Sequence, residues 1–265
     1  MDIDGLQARY RTGREIARDA GLAAAEYFRT FETLAVEKKG HQDLVSEADK
    51  NVELLVRAAI TDAFPDDAIV GEEHAPVQGS SGYTWVIDPI DGTANFVRGI
   101  PGWTVVLACV KDGRTRIGII HDPVHDEMHH AVRGGGAFTN DRSIACASDA
   151  RMTDGAVGVG FSNRTGARGV VRLVEGLTNE GGLFYRNASG AISLAYVAAG
   201  RLLGYSEEHM NAWDCLAGQL LIAEAGGMVE DQDADAMISD GGRVVAGAPG
   251  VFDDILRISN AAFGT

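Results

Sequence analysis

Residues 85–96 read WVIDPIDGTANF, an apolar run that delivers two carboxylates, Asp88 and Asp91, into a Gly-Thr step. Trp85, Val86 and Ile87 predict the end of a buried strand. Pro89 lacks the N–H that regular pairing beyond it needs, so both aspartates are expected on an irregular turn. Hard oxygen ligands in that setting suit Mg²⁺ or Mn²⁺. Gly92 lets backbone approach a ligand closely, and the first N–H groups of a helix opening at Thr93 would attract an anion. One short segment therefore offers a cation site and an anion site side by side.

The chain around it has the length and apolar content of a large α/β protein. It has 265 residues, 45% of them hydrophobic, enough for one large unit or two lobes. Ile16, Ala20, Ala24, Tyr27, Phe28 and Phe31 recur at helical spacing and predict a helix over about 5–30. Val52, Leu55, Val56, Ala59, Ile60 and Ala63 predict a second over about 47–64, stopped by Pro65. Short β-rich runs follow at 68–70, 83–87, 104–110 and 115–120, the last two joined by a Lys111-Asp112-Gly113 turn. From about residue 150 strands alternate with helices, with apolar runs at 156–160, 170–178, 182–185, 191–199 and 214–225. Two closely packed lobes are expected, residues 1–145 and 146–265, with a site in their cleft.

Charge and cysteine usage narrow the function. Acidic residues outnumber basic ones 38 to 23, a net charge of −15, which disfavours nucleic acid and anionic membrane as partners. Cys109, Cys146 and Cys215 have no paired spacing, so a reducing, cytoplasmic setting is expected. The N-terminal stretch is too charged for a signal peptide, and no run approaches the ~18 apolar residues of a membrane span.

Other acids are candidates to complete the site, each with a plainer reading. Glu72 and Glu73 follow the apolar run 68–70 at a strand end, or they are solvated turn residues. Asp214 precedes an apolar helix and either faces the cleft or favours the helix N-terminus electrostatically. Asp49 stands three residues after Ser46, the spacing of a capping box. His121, His125, His129 and His130 are close in sequence, but Pro123 breaks any helix that would align them as metal ligands. Residues 134–136, three glycines, read as a turn, and no Gly-x-Ser-x-Gly elbow occurs.

Four separated segments resemble the inositol monophosphatase family of Mg²⁺-dependent, lithium-sensitive phosphatases: WVIDPIDGTANF, residues 211–218 with the EAGG of 224–227 behind them, Gly71-Glu72-Glu73, and residues 43–49. The resemblance covers nearly the whole chain. It implies a layered αβαβα sandwich of the sugar-phosphatase type, a homodimer, and Mg²⁺ at two or three ions per site with Mn²⁺ as an alternative. Carried over residue by residue, Glu72, Asp88 and the Ile90 carbonyl would hold one metal, and Asp88, Asp91 and Asp214 another. Thr93, linked to Asp49, would help deprotonate a bound water, with Glu72 beside it, while Gly92 and Thr93 N–H groups would bind phosphate.

Substrate contacts would come from Asp91, Arg186, Ala191 and Glu207, and Lys38 would lie on a loop that closes near the metals. Residues 188–191, Ala-Ser-Gly-Ala, depart from the family's usual order there. The implied reaction is hydrolysis of myo-inositol monophosphate or a related small polyol phosphate. The same chemistry on histidinol phosphate, fructose 1,6-bisphosphate or 3′-phosphoadenosine 5′-phosphate is the first alternative. A regulatory or scaffold protein that binds a protein or RNA partner is an alternative of another class.

Overall fold

A computed structural model describes residues 3–40, 43–162 and 164–264. The chain opens with α1 (Ile3–Arg29), a short hairpin of β1 (Val36–Gly40) and β2 (Asp43–Ser46), and α2 (Glu47–Ala63). It continues through β3 (Ala68–Gly71), β4 (Thr84–Asp91), α3 (Thr93–Phe96), β5 (Thr104–Lys111), β6 (Arg114–Asp122), β7 (Glu127–Val132), β8 (Ala137–Thr139) and β9 (Arg142–Ser143). Then come β10 (Ala156–Val159), α4 (Ala167–Asn179), β11 (Leu183–Tyr185), α5 (Gly190–Ala198), β12 (Gly204–Met210) and α6 (Ala212–Glu224). The chain ends with β13 (Met228–Val229), α7 (Ala234–Asp240), β14 (Gly242–Gly247) and α8 (Phe252–Phe263).

Seven strands, β3 to β9 in sequence order, form one sheet, and β11-β10-β12-β14-β13 form another. Side chains alternate across the first sheet, as strand geometry requires. Trp85, Ile87, Val105, Leu107, Ile117 and Ile119 join the core under α1 and α2. Val86, Val106, Ala108 and Ile120 join a second core shared with α5, α6 and the five-stranded sheet. Helices α4 and α8 pack on that sheet's outer face, which completes five layers in the order αβαβα.

Helix α6 is the middle of the sandwich and is apolar on nearly every side, with nine of its thirteen residues buried. It ends as the Gly226-Gly227 pair suggested: Gly226 has φ 80°, and the N–H groups of Gly226 and Gly227 donate to Ala223 and Ile222 carbonyls. It lies so close to β6 that a Cβ on Gly118 would stand 2.6 Å from the Ala217 carbonyl oxygen and 2.9 Å from its Cα.

Two expectations need correction. Pro89 does not end the strand: β4 runs to Asp91 by means of a bulge, because Asp88 pairs with Val106 and Asp91 with Thr104. The segment around residues 37–42, expected as a polar loop, includes an antiparallel pairing of β1 with β2; the Lys38 side chain lies outside the described residues. The histidine run lies where one strand turns back into the next, with His121 on β6 and His129 and His130 on β7.

The contact of β6 with α6 yields a stability test. Gly118→Val forces backbone apart in a closed core and is expected to lower the unfolding free energy by about 1–3 kcal/mol, read from the urea midpoint. An unchanged midpoint would show that α6 does not rest on this strand.

Candidate active site

The β4 bulge decides where the two aspartates point. Two residues, Pro89 and Ile90, lie between Asp88 and Asp91 where β5 has only Val105 between their partners, so the bulge lets Asp88 and Asp91, three residues apart, both face the α5/α6 side with Val106 and Thr104. The intervening Ile90 buries its side chain in the α1/α2 core and turns its carbonyl to the Thr93 hydroxyl at 3.0 Å. Beyond Ile87 no residue of β3 pairs with β4, although the Glu72 N–H still reaches the Ile87 carbonyl at 3.3 Å. Glu72 is therefore delivered to the level of Asp88.

Asp88, Asp91 and Asp214 bring one carboxylate oxygen each to within 4.8 Å of one another. Asp214 is the third residue of α6, where it completes a capping box with Asn211 and accepts that residue's N–H at 3.2 Å. Helix capping and a place in the acid cluster coincide here. The same holds for Asp49 on α2: one oxygen accepts the Ser46 N–H at 2.8 Å and hydroxyl at 2.5 Å, and the other accepts the Thr93 hydroxyl at 2.9 Å.

Asp91 is anchored across the sandwich. Its Oδ2 accepts the Ala191 N–H at 2.9 Å and a very short hydrogen bond from the Ser189 hydroxyl, which also caps α5 through Ile192 N–H. The Asn95 amide adds a second tie, donating to the Gly102 and Asn187 carbonyls at 2.6 Å each. Ser189 and Asn95 were not identified from sequence, since the Ser189–Asp91 and Asn95–Asn187 bonds each span more than ninety residues and only the neighbouring acid motif hinted at them.

So many buried acids repel one another. Burial, followed by the charges of Glu72, Asp214 and Asp91, holds the Asp88 carboxyl well above the carboxylate range. Burial and the charge of Asp214 push Asp91 up to about 7, against the opposing hydrogen bonds from Ser189 and the α5 backbone. Burial raises Asp49 and Asp214 as well. Full ionisation of this set needs compensating positive charge, and its donors are all hard oxygens, the set that Mg²⁺-class cations take.

Beside the acids, a cavity of about 150 Å³ is lined by Asp91, Asp214, Arg186, Tyr205 and Glu207 among others. Glu207 is buried, accepts the Tyr205 hydroxyl at 2.6 Å, and is pushed up to about 7 by burial. Arg186 is exposed at the cavity's edge. Ala191 differs from these, since its methyl group is in the core and its N–H is committed to Asp91. Gly92 adopts φ 99°, and a Cβ there would stand 2.7 Å from the Gly102 carbonyl, so the turn into α3 needs glycine.

Among the described residues the histidines make no metal-binding group. His129 and His130 are buried, and burial pushes both down to about 4, so they are neutral core residues. The glycines at 134–136 form a turn as expected, with the Gly134 and Gly136 N–H groups held by the Glu224 carboxylate at 2.8 and 2.9 Å.

Comparison with known proteins agrees with this architecture. A sequence model of the inositol monophosphatase family matches residues 6–260. The inositol-1-monophosphatase of Mesorhizobium japonicum is 39% identical over 246 residues, covering 91% of this chain and 89% of that protein. Nus factor SuhB of Escherichia coli K12 is 37% identical over 244 residues, 91% of each. Among solved structures, the extragenic suppressor protein suhB of Bartonella henselae superposes with a TM-score of 0.88 at 31% identity, covering 94% of this chain and 97% of that one. With a family match over almost its whole length and the acid cluster formed by that family's motifs, the chain belongs to the inositol monophosphatase family.

Proposed function

We propose that this phosphatase hydrolyses myo-inositol monophosphate or a closely related small polyol phosphate, by in-line attack of water beside two divalent cations, with Mg²⁺ preferred. The observation that carries the reading is the convergence of Asp88, Asp91 and Asp214 on one point, with oxygens within 4.8 Å. Cations bound there supply the charge that neutralises a phosphate monoester and the acidity that makes water nucleophilic. In this reading Glu72, Asp88 and the Ile90 carbonyl hold one cation, and Asp88, Asp91 and Asp214 the other.

The protein's own groups then divide the work. Thr93 donates its hydroxyl proton toward Asp49, whose burial raises its basicity, so the pair is suited to relaying a proton from the attacking water. The backbone at Gly92 and Thr93 opens α3, and its first N–H groups, which have no partner within the helix, are assigned to the phosphate oxygens. Glu207 and Arg186 line the adjoining cavity and are assigned to the alcohol. We take residues 1–145 and 146–265 as two lobes that meet at this point, a division supported by one acid pair on β4 and another acid on α6.

A homodimer belongs to the same proposal. Ile100, Val124, Leu183 and Phe184 are exposed around a groove lined by Ile100, His125 and Tyr185, an apolar set that a second copy would cover. No helix among the described residues is long and apolar enough to cross a membrane, and a cytoplasmic location is proposed from the unpaired spacing of the three cysteines. Relatives named Nus factor SuhB motivate a second reading, a role with a protein partner, while the net charge of −15 opposes direct RNA binding.

Three measurements test the reading. Asp88→Asn removes the carboxylate shared by both cations and is expected to lower kcat by about 10³, several kcal/mol of charge stabilisation; near-normal Mg²⁺-dependent turnover would refute the assignment. In a phosphate-release panel, inositol monophosphate should turn over faster than histidinol phosphate, fructose 1,6-bisphosphate and 3′-phosphoadenosine 5′-phosphate. Equal or slower turnover would move the substrate to another ester, and no turnover of any would favour the partner-binding role.

The third test is pH dependence. Asp91 in the metal-free fold titrates at about 7 against an ordinary 3.8, so the folded state binds more protons across that window. Its contribution to stability therefore falls as pH rises, and a cation that replaces the proton stabilises more at higher pH. The increase in melting temperature on adding Mg²⁺ should grow from about pH 5 to about pH 8. His129 and His130, depressed to about 4, act in the opposite sense but equally with and without cation. A flat difference would contradict the cation assignment.

A further inference from the structure

Helix α2 buries three charged side chains on one face at four-residue spacing: Asp49 and Glu53 are fully buried and Arg57 is 8% exposed. Asp49 serves Thr93. The other two bond elsewhere, and burying a carboxylate and a guanidinium is costly unless geometry and hydrogen bonding are complete.

Their bonds all go to one target, the turn that follows β3. Glu53 Oε2 accepts the Glu73 N–H at 2.8 Å, and Oε1 accepts the His74 N–H at 3.2 Å and Arg57 Nε at 2.6 Å. Arg57 then donates through Nη2 to the His74 carbonyl at 2.9 Å and through Nη1 to the Ala75 carbonyl at 3.1 Å. His74 reaches back, with its Nε2 at 3.1 Å from the Lys50 carbonyl. Gly71 is packed against the same carboxylate, where a Cβ would stand 2.3 Å from Glu53 Oε1. The turn is thus held on both sides of Glu72, the acid whose charge bears on Asp88.

We infer that Glu53 and Arg57 are positioning residues for cation binding: together they clamp residues 71–75 to α2 and fix the Glu72 carboxylate relative to Asp88. The inference rests on the proposal that Glu72 is a cation ligand. Because α2 also carries Asp49, the clamp makes one helix set the position of both Glu72 and the Thr93 partner. Glutamine cannot replace Glu53 in this arrangement. Its single carbonyl oxygen can serve only one side of the pair, and its NH₂ must then face an N–H donor. Lysine at 57 would lose the fork that reaches two carbonyls at once.

The test compares Mn²⁺ binding, without substrate, by electron paramagnetic resonance of the free ion, alongside thermal unfolding, in four full-length variants. Glu72→Gln and Glu53→Gln are both expected to weaken Mn²⁺ binding by about 10- to 100-fold, the range for loss of a group that orients a ligand. Arg57→Lys should weaken it in the same direction and carries the test if Glu53→Gln does not fold. Asp67→Asn is the control: it breaks a buried ion pair with Arg9, 2.6 Å long, at the opposite end of β3. It should lower the melting temperature while leaving Mn²⁺ affinity within about twofold of wild type, as expected for a distant site.

Wild-type affinity in Glu53→Gln or Arg57→Lys with weakened affinity in Glu72→Gln would overturn the clamp and leave the ligand assignment standing. Wild-type affinity in Glu72→Gln would remove the ligand assignment, and the clamp's role with it. Equal weakening in Asp67→Asn would reduce the effect to general destabilisation and also overturn the inference.

Discussion

The structure depends on how it tolerates negative charge out of water. Asp88, Asp91, Asp214 and Asp49 are held at one place by β4, α6 and α2, and each has its carboxyl pushed toward the neutral form by burial. Part of the compensation is internal. Asp49 and Asp214 each sit in the first turn of their own helix, and Asp91 lies against the first turn of α5, so three helix N-termini point their positive ends at the cluster. Each of those termini contributes a fraction of a charge, and the remainder defines what the site is made to receive.

This arrangement explains why the core layers and the site cannot be separated. The helix that fills the middle of the sandwich also presents Asp214, and the helix beside it receives Asp91. Packing of α6 against β6 is close enough to exclude a single methyl group, so an acid on its first turn has little freedom to move relative to the sheet that carries Asp88. Rigid elements on both sides hold the carboxylates at fixed separation in spite of their repulsion.

Much of this was readable in the chain. The two long helices followed from apolar spacing, the β5–β6 hairpin from its Lys-Asp-Gly turn, and the converging acids Asp88, Asp91 and Asp214 from their motifs. What was not readable has physical reasons. β12, with the sequence GYSEEHM, carries polar residues because one of its faces lines the cavity, which hides the alternation expected of a strand. β7 was obscured by its two histidines, which interrupt the apolar pattern although both are neutral and buried in the strand. The Ser189–Asp91 bond joins residues 98 apart, a relation that no local pattern encodes. Glu53 and Arg57 have the spacing of an ordinary helical ion pair, and only the fold reveals that they are buried and grip a turn.

The bulge in β4 has a consequence for how this segment tolerates change. A variant that kept this length but flattened the bulge into strict alternation would rotate Asp91, three residues after Asp88, into the apolar layer beneath α1 and α2. There it would meet only hydrocarbon, with no helix terminus, hydroxyl or cation to offset it. Register in this segment is therefore two-valued: with the bulge the two acids share one side of the sheet, and without it a chain of this length must either leave a charge stranded or give up the strand.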